Sequence, residues 1–172
     1  MDLKSTIRVI DGYPVEGVSF KDITTLLKDK EAFKQSLDML EEALKEIEFD
    51  YIVGIESRGF IFGAPLADRL DKGFVPVRKP GKLPGEIEKI SYDLEYGNNE
   101  LEMHKDAIGK GDKVVIIDDL IATGGSAQAA AKLVETLGAE VAAFEFLIEL
   151  EDLNGREVLG DYKVISLVKY DH

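Results

Sequence analysis

Apolar residues recur along this chain in blocks whose spacing alternates between that of a helix and that of a buried strand. Phe33, Leu37, Leu40, Leu44 and Ile47 lie four, three, four and three residues apart, so residues 31–48 are expected to form an amphipathic helix. Asp50 to Ile55 reads as a buried strand that stops at Glu56-Ser57-Arg58-Gly59, and Phe60 to Leu70 as a second helix. Phe74 to Val77 is a short strand, which Pro76 assigns to an edge or a strand end. Lys113 to Asp118 contains four consecutive β-branched residues and is expected to be a strand ending abruptly at Asp118 and Asp119. A helix from Ser126 to Leu137 follows, with Gly138 where a C-terminal cap belongs. Val141–Ile148 and Val164–Val168 complete the strands. This alternation predicts an α/β fold, a central, mostly parallel sheet flanked by helices, with ligands at the carboxyl ends of the strands.

Residues 79–104 interrupt the rhythm. Pro80, Gly81, Pro84, Gly85 and Gly97 punctuate a polar stretch with only scattered apolar alternation. It is too long for an ordinary connection, and reads as a flap or partly ordered hairpin. No internal repeat, low-complexity tract or linker divides the chain, and 172 residues suit one domain spanning 1–172.

Composition narrows the chemistry. No apolar stretch approaches the ~20 residues of a membrane span, and Met1-Asp2-Leu3-Lys4-Ser5 lacks a secretory pattern. A cytoplasmic protein with no membrane partner is expected. The absence of cysteine excludes disulfides and thiolate catalysis. With only His104 and His172 available, a histidine-rich metal site is impossible and any divalent ion must be held by oxygen. His104, alone in a strand-like stretch, is expected to serve packing or an interface. A formal charge of −13 argues against a nucleic-acid partner. Against that background Arg58, Arg78, Lys79 and Lys82, beside glycines and at strand ends, stand out as a basic enclave for an anionic ligand.

The most informative stretch is Val-Val-Ile-Ile-Asp-Asp-Leu-Ile-Ala-Thr-Gly-Gly-Ser, residues 114–126. The small-residue turn Ala122-Thr123-Gly124-Gly125-Ser126 can present successive backbone N–H groups, and the following helix adds its positive end. Two carboxylates just upstream suit hydroxyl groups. A ligand carrying both a phosphate and a sugar diol is the simplest match.

This block resembles the phosphoribosyl-diphosphate (PRPP) signature of the type I phosphoribosyltransferases. Alone it indicates only the superfamily. Arg78-Lys79-Pro80-Gly81-Lys82-Leu83-Pro84 and Leu94-Glu95-Tyr96-Gly97 resemble the adenine branch, as do Phe20-Lys21-Asp22-Ile23-Thr24, Gly54 to Gly63, Leu101 to Ala107 and Phe146 to Leu150. The resemblance implies a purine salvage enzyme that transfers the phosphoribosyl group of PRPP to adenine, giving AMP and diphosphate. It implies that Asp118 and Asp119 hold the ribose hydroxyls, and that Ala122, Thr123, Gly124, Gly125 and Ser126 hold the 5′-phosphate. Ser57 and Arg58 match the diphosphate-binding turn, where a cis peptide is typical before the serine. Arg78 and Lys82, with Lys79 assisting, match residues that close over the diphosphate. Glu95 is implied in proton handling at the purine, with Tyr96 nearby. Backbone groups of Ser19 and Lys21 would read adenine between Phe20, Ala122 and Leu150, under a small hood made of about 1–25 and 148–160. Residues 14–19 depart from the pattern, since many relatives carry a second proline and an apolar residue where Ser19 stands. Mg²⁺ would arrive with PRPP rather than on a dedicated protein cage, and a homodimer is implied. A different purine base, or a PRPP-sensing regulator without turnover, are the competing readings.

Overall fold

The computed structural model describes residues 1–94 and 97–172. Five parallel strands form the central sheet: β3 (Tyr51–Ile55), β4 (Gly73–Val77), β7 (Lys113–Ile121), β8 (Glu140–Leu150) and β9 (Val164–Tyr170), in the order β4-β3-β7-β8-β9. Before the sheet, β1 (Arg8–Asp11) and β2 (Ser19–Asp22) pair antiparallel and lead into α1 (Thr24–Lys28) and α2 (Lys30–Leu44). Helix α3 (Arg58–Arg69) links β3 to β4, and α4 (Gly125–Thr136) links β7 to β8. A second antiparallel pair, β5 (Ile87–Leu94) and β6 (Gly97–His104), precedes β7, and the short α5 (Gly155–Val158) precedes β9.

Central strands are buried on both faces, which explains their unbroken apolar runs. Along β7, Val114 and Ile116 pack with Val53, Phe144, Phe146 and Leu133 on one side. Val115 and Ile117 pack on the other with Leu37, Leu40, Phe62 and Leu66. The apolar run Gly59–Gly63, suited on sequence to either an interface or a buried helix, lies in α3 with Phe62 wholly buried and edge-on to Phe33. Pro76 does lie on an edge strand.

Several boundaries differ from expectation. Helix α2 ends at Leu44, leaving Ile47 beyond it. At its start the Asp29 carboxylate accepts from the Glu31 and Ala32 amides. Strand β7 does not stop at the two acids but continues to Ile121, because β8 is long enough to pair with Leu120 and Ile121. Within the expected flap, residues 87–94 and 97–104 form two eight-residue strands paired antiparallel. The β1–β2 pair was not anticipated from apolar spacing, since β1 is largely exposed and the buried positions of β2 are the polar Lys21 and Asp22. It is tied by Arg8, whose Nε donates to Asp22 at 3.0 Å. No helix among the described residues is long and apolar enough to cross a membrane.

One buried group stands apart. Glu145 of β8 is fully enclosed, and neither carboxyl oxygen has a hydrogen-bond partner among the described residues. Burial pushes its carboxyl up to about 9. The folded chain therefore keeps a proton that the unfolded chain releases near 4.5. Stability should fall as pH rises between those two values. Glu145→Met is expected to raise the unfolding free energy at pH 7 by roughly 3 kcal/mol, with a smaller gain at pH 5 and a larger one at pH 8.5. Urea unfolding of both proteins across that range checks it; a pH-independent difference would contradict a protonated Glu145.

Candidate active site

The carboxyl ends of β3, β7 and β8 lie side by side, and most of the anticipated residues gather there. Asp118 and Asp119 are the sixth and seventh of the nine residues of β7. Asp119 is buried, and its amide donates to the Asp118 carboxylate at 2.8 Å. Burial, reinforced by the neighbouring Asp119 charge, pushes the Asp118 carboxyl well above the ordinary aspartate range. Asp118 can thus hold a proton more tightly than a free aspartate.

After Ile121 the chain turns sharply. Gly124 has φ +89°, a left-handed conformation that glycine adopts without steric cost, and it caps α4. Residues 120–127, with Asp118 and Phe146, line a cavity of about 170 Å³. The first amides of α4 are left without partners inside the helix, and its dipole adds positive potential. Such a turn can hold a phosphate-sized anion beside the two carboxylates. Tyr92 of β5 reaches over the helix start, its hydroxyl 3.3 Å from the Ser126 Oγ. Nothing in the local sequence pattern around Tyr92 marks this long-range contact.

Beyond β3, the Glu56–Ser57 peptide is cis, as the family pattern implied. Ser57 and Arg58 are exposed at the start of α3. Gly59 lets this end approach β7 closely: a Cβ there would lie 2.9 Å from the Ile117 carbonyl oxygen and 3.2 Å from Asp118 Oδ1. Arg58 Nε donates to Asp119 Oδ2 at 2.6 Å. The Asp119 charge raises the Arg58 guanidinium further, despite opposing burial.

In the expected basic enclave Arg58, Arg78 and Lys82 are already paired with carboxylates, while Lys79 is exposed. Glu56, almost buried, accepts from Arg78 Nε at 3.0 Å, from the Lys79 backbone amide at 3.0 Å and from Lys82 Nζ at 2.5 Å. Burial alone would raise Glu56, but these donors outweigh it and hold the carboxyl at about 2. In sequence Glu56 stands out only as the residue before Ser57; its role is tertiary and has no local signature. The Arg78 strand end also exchanges both backbone hydrogen bonds with Glu102 of β6, which ties the β5–β6 pair to the sheet edge. His104 anchors the base of that pair through Nε2 to the Pro84 carbonyl at 2.8 Å, a packing role.

The remaining residues sit around the ends of β2, β8 and β9. Lys21 is buried, and its Nζ donates to the Ser19 carbonyl and hydroxyl oxygens at 3.0 and 2.9 Å. It also lies 5.0 Å from the centre of the Tyr170 ring, and Tyr170 pairs with Leu150. Phe20 packs edge-on against Tyr13. Ala122 ends up against α5 rather than displayed alone. Glu95 and Tyr96 lie outside the described residues. No three metal-ligating side chains converge among the described residues.

Comparison with known proteins agrees with this geometry. The phosphoribosyl transferase domain matches residues 22–171. The adenine phosphoribosyltransferase of Clostridium botulinum (strain Alaska E43 / Type E3) is 63% identical over 171 residues, covering 99% of each chain. The crystal structure of adenine phosphoribosyltransferase from Thermoanaerobacter pseudethanolicus superposes with a TM-score of 0.95 at 55% identity, covering 98% of both chains. That from Saccharomyces cerevisiae, complexed with an imino-altritol bisphosphate and adenine, gives 0.89 at 46% identity and 95% coverage of each.

The Arg58–Asp119 ion pair can be tested directly. Arg58→Gln removes a cation that favours the ionised form of Asp118, so Asp118 should titrate at higher pH. Carboxyl-carbon NMR titration of labelled aspartate reads this, and superimposable curves in parent and variant would show that the pair does not form in solution.

Proposed function

The chain belongs to the adenine phosphoribosyltransferase branch of the phosphoribosyl transferase family, and from that premise we propose that it joins adenine to the phosphoribosyl group of PRPP, releasing AMP and diphosphate. The observation that carries this reading is the juxtaposition, on one strand end, of two carboxylates with an amide-lined turn. A sugar 5-phosphate has hydroxyls and phosphate to match.

The C1′–diphosphate bond breaks as a purine ring nitrogen bonds to C1′, the diphosphate leaves with the bonding electrons and the base gives up a proton. Positive charge builds on the ribose ring and negative charge on the leaving group, so preorganised electrostatics dominate the barrier. In this reading Asp118 and Asp119 hold the 2′- and 3′-hydroxyls and favour charge on the ring. Amides of Ala122 to Ser126, with the Thr123 and Ser126 hydroxyls, hold the 5′-phosphate; one such donor is worth about 3–4 kcal/mol.

Ser57 and Arg58 take the departing diphosphate, and Arg78, Lys79 and Lys82 close over it. Glu56 and Asp119 support this arrangement by offsetting the mutual repulsion of four cations until a more highly charged anion replaces those contacts. Mg²⁺ enters with PRPP, bound mainly by substrate oxygens and water, in keeping with its preference for hard donors. Glu95 takes up the purine proton, and Tyr96 lies alongside. Residues 79–104 form a flap that excludes water, which suppresses hydrolysis of PRPP. Backbone groups of Ser19 and Lys21 read the base between Phe20, Ala122 and Leu150, under a hood built from about 1–25 and 148–160. A cytoplasmic homodimer of single-domain subunits completes the proposal.

Incubation with PRPP, Mg²⁺ and a mixture of purines should release AMP alone, and mass spectrometry of the nucleotide product identifies it; IMP, GMP or XMP as the main product would reassign the base. The double replacement of Asp118 and Asp119 by Asn should lower kcat/KM for PRPP at least about a hundredfold, the scale of a lost electrostatic contact at a reacting centre. Thermal unfolding should change little. Undiminished turnover would refute the diol assignment. Glu95→Gln is expected to reduce kcat and to flatten the pH–rate profile with little change in PRPP affinity, as steady-state kinetics across pH would report.

A further inference from the structure

We propose that Glu149, Arg156 and Ser166, none of them part of the turn 122–126, form a brace that sets the position of that turn through α5. The proposal rests on the reading of the turn as the 5′-phosphate site. Helix α5 has only four residues and cannot hold itself in place. Its position is fixed by Arg156, whose Nε donates to both Glu149 oxygens at 2.9 and 2.8 Å. The same guanidinium donates from Nη1 to the Val164 carbonyl at 2.8 Å and from Nη2 to Ser166 Oγ at 3.3 Å. Ser166 in turn donates to Glu149 Oε1 at 2.6 Å.

Glu149 is 5% exposed and sits on β8 opposite Ile121, the last residue of β7 before the turn. Burial opposes its ionisation, but Arg156 and Ser166 outweigh burial and keep it below the usual carboxylate range. The ion pair thus fixes α5 to the strand beside β7, with the planar fork of arginine specifying direction as well as distance.

The other side of α5 presses on the turn, backbone against backbone. A Cβ on Gly155 would lie 2.6 Å from the Ala122 carbonyl oxygen and 2.8 Å from Ile121 Cγ1. A Cβ on Gly124 would lie 2.8 Å from the Gly155 carbonyl oxygen. Gln128 of α4 adds a hydrogen bond from Nε2 to the Val158 carbonyl at 3.3 Å. The turn therefore cannot relax toward α5 without a clash, and it loses its backing if α5 moves away. Amides that bind an anion well must be held in place beforehand, and here the holding falls to Arg156 as a positioning residue.

Separate ligands distinguish this role from general stability. Ribose 5-phosphate engages the braced turn, whereas diphosphate engages Ser57 and Arg58. Calorimetric titration should show ribose 5-phosphate affinity reduced about tenfold or more in both Arg156→Met and Gly155→Ala, with diphosphate affinity unchanged within twofold. Ser166→Ala, the mildest change, should weaken the same ligand by a smaller factor, and Arg156→Lys should restore only part of the loss. In turnover, KM for PRPP should rise more than kcat falls. Unchanged ribose 5-phosphate binding in Arg156→Met and Ser166→Ala would overturn the brace, and so would equal losses for both ligands. A parent protein that binds diphosphate but not ribose 5-phosphate would instead reject the reading of the turn itself.

Discussion

Strand β7 must be apolar on both faces to occupy the middle of the sheet, yet its far end carries two adjacent carboxylates. The conflict between those demands organises the site. Burial disfavours charge on Asp118, and the neighbouring Asp119 makes ionisation costlier still. Arg58, brought to the strand by the first turn of α3, relieves part of that cost. The absence of a side chain at Gly59 permits the approach, so the electrostatics of the acids depend on the packing of a helix start against a strand.

The same logic recurs one strand away. Glu56 is held ionised because the Arg78 and Lys82 cations and the Lys79 backbone amide converge on it, and those two cations in turn stay close together because Glu56 is there. On a chain with formal charge −13, a cluster of basic groups at the mouth of the site needs local anions to keep its geometry. An incoming polyanion can then exchange for carboxylates already in position, and the protein does not have to assemble the cluster afresh. The route to the site thus differs from the static basic pocket that composition suggests.

How much of this was legible beforehand follows from the range of the interactions. Alternating apolar blocks identified the parallel sheet and its helices because a buried strand and an amphipathic helix each write their period into consecutive residues. The acids of β7 and the turn after them were legible for the same reason: their chemistry is contiguous. The pair β5–β6 was harder, since most of its residues are partly exposed and little apolar alternation marks the strands. Glu56, Tyr92 and Arg156 act on partners 22 to 26, 34 and 7 to 10 positions away, through contacts that only the fold creates. Glu145 was concealed in an apolar run, where one carboxyl that keeps its proton can lie among phenylalanines without altering the pattern.

Pro76 has a bearing on the protein's behaviour in crowded solution. It sits in β4, one of the two edge strands of the sheet, where a proline cannot supply a hydrogen-bond donor, and the rim beside it is already engaged by the Arg78–Glu102 bridge. An open parallel border is otherwise a template on which other chains can add strands and grow into fibrils. Here that border offers an interrupted ladder to any newcomer, which makes this edge of the sheet a poor template for added strands.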